Sequence, residues 1–116
     1  MKLRKDFDLI VTIVNKGWSD RVVGASKRAG AEGGTIIFGR GTGIRETQTF
    51  FGIPIEPEKE IVLTAVPERL TEPVLGAIVE AADLEKPGTG VAFVLPLKAV
   101  AGICHLMGGE AAPGER

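Results

Sequence analysis

A chain of 116 residues with 14 Lys and Arg against 15 Asp and Glu carries a formal net charge of −1, so it lacks the basic field that nucleic acid attracts. Its hydrophobic content of 44% is that of a globular domain, not a disordered one, and a single core can sustain this length. Cys104 stands alone, which excludes an internal disulfide and fits a reducing compartment.

No apolar run reaches the roughly 20 residues that cross a bilayer. Met1-Lys2-Leu3-Arg4-Lys5 passes straight into Asp6-Phe7-Asp8 without a signal-peptide core, so a soluble cytoplasmic protein is expected. With no Tyr, one Trp and five scattered Phe, no strand offers the aromatic platform on which RNA bases stack.

The first strand is expected over Asp8 to Val14, where Leu9-Ile10-Val11-Thr12-Ile13-Val14 is β-branched and bounded by Asn15 and Gly17. A helix follows, with Ser19 as N-cap, Asp20 at the positive end of the dipole and Gly30 as its stop. Trp18 and Val23 are placed to form a hydrophobic staple at its start. Thr35 to Gly39 reads as the second strand. Residues 40–57 are broken by Gly41, Gly43, Gly52, Pro54 and Pro57, a long loop of the kind that usually carries function.

Glu60 to Val66 is the third strand, and the second helix runs from about Thr71 to Leu84, with Thr71 as cap and Pro73 in its first turn. The turn Lys86-Pro87-Gly88-Thr89-Gly90 leads into a fourth strand, Val91 to Leu97. Residues 1–107 therefore form one domain, and 108–116, rich in Gly, Pro and Glu, a flexible tail. The order βαββαβ is the split βαβ pattern of ferredoxin-like α+β folds: a four-stranded antiparallel sheet with two helices on one face.

The strands are apolar on both parities. Leu9, Val11 and Ile13 oppose Ile10 and Val14; Ile61, Leu63 and Ala65 oppose Val62 and Val66; Val91, Phe93 and Leu95 oppose Ala92 and Val94. Strands of that kind are buried on both faces, so copies of the same chain are expected to cover the second face as a homo-oligomer.

The chemistry-bearing residues gather at glycines. Gly39-Arg40-Gly41-Thr42-Gly43-Ile44-Arg45 lets backbone N–H groups approach an anion, and Arg40 and Arg45 can complete a phosphate or carboxylate site. Gly88-Thr89-Gly90 lies before the opposite edge strand, so the two turns would converge only between neighbouring subunits, where Lys59 could join them. His105 has neither a triad pattern nor a second His to make a metal site, and no catalytic or metal-binding residue is assigned. Glu56, Glu58 and Glu60 read as solvated loop charges.

These residues give the chain a resemblance, from about Asp8 to Ile103, to the PII signal-transduction superfamily. Gly34-Thr35 and Gly41-Thr42-Gly43 are similar to the family's strand-two Thr and the Gly-aromatic-Gly at the base of its T-loop. Lys59 falls where the family carries a Lys near the nucleotide phosphates, and Lys86-Pro87-Gly88-Thr89-Gly90 resembles its B-loop. The resemblance implies a homotrimer with a T-loop at about 42–57 and a B-loop at about 86–90. It implies an effector site at intersubunit clefts, made by Thr35, Gly41, Thr42, Gly43, Arg45, Lys59, Ala65, Gly88, Thr89 and Gly90. Thr47, Thr49, Phe50 and Phe51 would face a regulated membrane transporter or metabolic enzyme.

Several family cations are replaced, by Ile44, Val91, Gly102 and Cys104, and Thr89 stands where the family's B-loop has an Asp. The expected effector is therefore ADP or AMP more than ATP, with no tightly bound cofactor and no enzymatic activity. Without Tyr the loop cannot be uridylylated on that residue. A trimeric cation-tolerance protein and a ferredoxin-like enzyme are the alternative readings. The acylphosphatase-type loop ending in Arg is absent, because Asn15-Lys16-Gly17-Trp18 stands in its place.

Overall fold

The computed structural model describes residues 1–41 and 48–102. Its elements are β1 (Leu3–Arg4), β2 (Phe7–Asn15), α1 (Ser19–Arg28), β3 (Thr35–Arg40), β4 (Gln48–Phe50), β5 (Ile53–Ile55), β6 (Glu58–Pro67), α2 (Glu68–Ala81), β7 (Gly90–Leu97) and β8 (Val100–Ala101). The β-branched runs pair as one antiparallel sheet in the order β3-β6-β2-β7. This is the expected ferredoxin-like α+β arrangement. Among the described residues no helix is long and apolar enough to cross a membrane.

The pleat sends alternate residues to opposite faces. Ile10 and Val14 on β2 and Val62 and Val66 on β6 pack against Val22 of α1 and Val74, Ile78 and Ala82 beside them, all buried. Both helices therefore cover the same face. The other face has the apolar composition expected of it and, among the described residues, no layer over it. Its rows run Leu95-Leu9-Ala65, Phe93-Val11-Leu63-Thr35 and Val91-Ile13-Ile61-Ile37 across the strands. Val91, Phe93, Leu95 and Ile37 are 41 to 48% exposed.

Local signals were less reliable than the strands. Ser19 is not the N-cap of α1: Trp18 holds that position without a side-chain cap bond, and the Arg21 guanidinium sits 4.2 Å from its ring centroid. The end of α1 is as expected, with the Gly30 and Ala31 amides closing on the Lys27 and Ser26 carbonyls at 3.0 and 2.9 Å.

Helix α2 starts at Glu68, not at Thr71, so Pro73 falls beyond the first turn. Its first amide is satisfied by the Asp6 carbonyl at 2.9 Å, and Thr71 Oγ1 donates instead to Asp8 Oδ2 at 2.7 Å. That bond ties the helix to β2. Asp6 is gripped by the Arg4 guanidinium at 3.0 and 2.6 Å, which holds its carboxyl below the usual carboxylate range.

Two features were not anticipated. The ends of the chain's described part pair as the β1-β8 ribbon, and residues 40–57 are not all loop, since β4 and β5 form a hairpin. Its turn, Phe51-Gly52, has φ of 52° and 80°. Two left-handed central residues make the turn whose twist suits paired strands.

Thr12 and Thr64 are fully buried on the helix-facing side, and neither hydroxyl has a hydrogen-bond partner. A buried hydroxyl left unpaired costs about 1 to 3 kcal/mol on mutational scales. Thr64→Val keeps the shape and removes the polar group. It is expected to raise the unfolding free energy in urea by about 1 kcal/mol; a loss of stability would mean that the hydroxyl is satisfied.

Candidate functional site

Four strands bring their termini to one end of the sheet. In the ladders Asn15 lies opposite Lys59, Lys59 opposite Gly39, and Val14 opposite Gly90. The excursion after β3 is closed at its root by the Gly41 N–H donating to the Pro57 carbonyl at 3.2 Å. Beside this root Lys59 is only 9% exposed. Its Nζ donates to Asn15 Oδ1 at 2.6 Å, and Asn15 Nδ2 donates to the Gly88 carbonyl at 3.0 Å.

The turn before β7 is built to hold this arrangement. Thr89 Oγ1 lies 2.8 and 2.9 Å from the carbonyl oxygens of Asp83 and Lys86, so its hydroxyl is used inside the turn. A Cβ on Gly90 would collide with the Ile13 carbonyl oxygen, so only glycine fits there. Lys86 and Asp83 form an exposed ion pair at 3.8 Å.

Glu60 corrects another expectation. It is not a solvated loop charge but is 8% exposed, with Oε1 accepting from the backbone N–H groups of Gly17 and Ser19 at 3.0 Å each. A strand residue thus caps the start of α1, where the helix dipole favours an anion. The Ser19 hydroxyl, then its N–H, holds the Glu60 carboxyl below the ordinary range despite burial. The N-terminus of α1 is consequently filled from within the chain. Glu58 pairs with Lys16 at 2.9 Å on the surface and raises its ammonium's pKa, a contact of little energetic weight because both are exposed.

Of the residues expected at the site, Gly41, Lys59, Gly88, Thr89 and Gly90 share this end of the sheet. The two glycine turns do flank opposite edge strands, yet Lys59 already reaches the Gly88 turn inside one chain, through Asn15. Thr35 and Ala65 lie elsewhere on the open face, opposite Leu63 and Leu9. Ala65 stands six residues along β6 from Lys59, roughly 20 Å, and lines a cavity of about 250 Å³ with Phe7, Gly30, Ala31 and Arg69.

Thr42, Gly43, Arg45 and Thr47 lie outside the described residues, as do Ile44, His105, Cys104 and the tail 108–116. Thr49 and Phe50 belong to β4, and Phe51 is 90% exposed at the hairpin turn. Among the described residues no group of three His, Cys, Asp or Glu could hold a metal ion. Sequence reasoning missed Asn15, whose signal was its place as the polar end of a β-branched run.

The family model "Nitrogen regulatory protein P-II" matches residues 7–105. The chain belongs to the nitrogen regulatory protein P-II family. A crystal structure of Arabidopsis thaliana PII bound to citrate is similar to it at a TM-score of 0.63 and 25% identity, covering 82% of this chain and 78% of that one. No curated protein matches. The family is one of signal-transduction regulators, and its ferredoxin-like fold is the fold described above.

Because the Glu60 carboxyl is held low in the folded state, its contribution is present above the unfolded carboxylate pKa, near 4.3, and is lost as pH falls through the folded value. Glu60→Ala is expected to lower the unfolding free energy at pH 7 by about 1 kcal/mol, the worth of a helix cap. In urea titrations between pH 7 and pH 3, Glu60→Gln should show a shallower loss of stability than the native chain. Parallel acid limbs would remove Glu60 from the account.

Proposed function

We propose that this P-II family member assembles as a homotrimer, binds a small anionic effector at clefts between subunits, and regulates a membrane transporter or metabolic enzyme through residues 42–57. The effector is ADP or AMP in preference to ATP. The observation that carries this reading is a nearly buried lysine, Lys59, at the root of the excursion, linked through Asn15 to a glycine turn. An ammonium so placed, beside glycines that admit close backbone approach, is suited to a phosphate or carboxylate.

Three things support the rest. The open face presents Val91, Phe93, Leu95 and Ile37 at 41 to 48% exposure, and a contiguous apolar patch of this kind suits burial against symmetric copies. Family members are usually trimeric and bind small effectors. The Arabidopsis thaliana protein carries citrate, a small polyanion. The preference for fewer phosphates follows from the turn: Thr89 spends its hydroxyl on Asp83 and Lys86, and Val91 offers no charge.

Switching would follow from the root of the excursion. An effector that contacts Lys59 and the Gly41–Pro57 closure favours one arrangement of the residues between them, and a partner protein reads it. Calorimetric titration of the purified oligomer is expected to show ADP and AMP binding more tightly than ATP. Lys59→Ala should weaken ADP by about tenfold, the worth of one hydrogen bond to a charged group. Equal affinity in the variant would move the site elsewhere, and the absence of binding at millimolar nucleotide would remove the effector reading.

A further inference from the structure

Among the described residues, the Asn15 side chain is hydrogen-bonded to both halves of the candidate site. Its partners fix its orientation by chemistry alone: a lysine ammonium can only donate and a peptide carbonyl can only accept. The amide oxygen must therefore face Lys59 and the amide nitrogen Gly88, at 2.6 and 3.0 Å. Both contacts join elements distant in sequence but adjacent in the sheet, since Asn15 ends β2, the strand between β6 and β7.

We propose that Asn15 is a positioning residue that makes Lys59 and the Gly88–Gly90 turn a single responsive unit within each subunit. The amide is planar, so its two ends cannot move independently. Shifting the ammonium turns the amide, and turning the amide loads or releases the Gly88 carbonyl. The N–H also occupies a carbonyl oxygen that would otherwise present negative charge toward an incoming anion. An anion that draws Lys59 away from Asn15 therefore also changes the turn that begins β7. That this relay serves an effector rests on the proposed function; the relay itself does not.

The test is done without ligand, by recording amide signals of the full chain in ¹H–¹⁵N NMR. Lys59→Met, which keeps the stem and removes the ammonium, is expected to shift the Gly88, Thr89 and Gly90 amides. In an Asn15→Ala background the same Lys59 change should leave those three amides where they were. Asn15→Asp provides a second background, because a carboxylate keeps the acceptor for Lys59 but has no donor for Gly88. There too the turn should stop responding to Lys59. Equal shifts in all backgrounds, or no shift in the native one, would overturn the relay. Failure of ADP to bind the native oligomer would instead sink the effector reading and leave this result standing.

Discussion

Four strands have two faces to cover, and the helices α1 and α2 cover only one of them. Everything else in the molecule follows from that imbalance. The helix-facing residues Ile10, Val14, Val62 and Val66 make a closed core with Val22, Val74 and Ile78. The opposite rows, from Leu95-Leu9-Ala65 to Val91-Ile13-Ile61-Ile37, carry side chains just as apolar, and among the described residues no second layer covers them. Phe93 and Val94 of strand β7, on opposite faces, are 48% and 40% exposed, and among the described residues β7 is an edge strand of the sheet.

The end of this sheet gathers the polar chemistry, and its parts are mutually dependent. Glu60 points to the helix side and closes the start of α1, while its neighbour Lys59 points to the open side and meets Asn15. One strand thus spends successive residues on the fold and on the site. Among the described residues the ammonium has the neutral amide of Asn15 as a side-chain partner, beside the Gly88 turn.

The sheet was legible in the sequence because β-branched runs such as Leu9 to Val14 and Ile61 to Val66 have few other uses. The helix starts were not. Ser19 and Thr71 are ordinary capping residues, but caps came from Glu60 and the Asp6 carbonyl, partners far away in the chain that only the folded sheet brings near. The hairpin at β4 and β5 was hidden because its turn uses Phe51-Gly52, without the Asn-Gly that announces such turns. Glu58 and Glu60 look alike in an alternating strip and share a face, yet only Glu60 lies under the start of α1. For the candidate site, the glycine spacing pointed to the end of the sheet where Gly41, Lys59 and the Gly88–Gly90 turn come together, whereas Asn15 looked like a turn residue until β2 was seen between β6 and β7.

In the proposed assembly, copies of the same chain bury the open face. Phe93 sits in the middle of that face and contributes little to the closed core, so a charge there should spare the subunit and disrupt only the assembly. Sedimentation equilibrium measures this directly. The native chain is expected to weigh three times its monomer mass of 12.2 kDa, and Phe93→Glu to sediment as a folded monomer. A native monomer, or a Phe93→Glu trimer, would contradict the account.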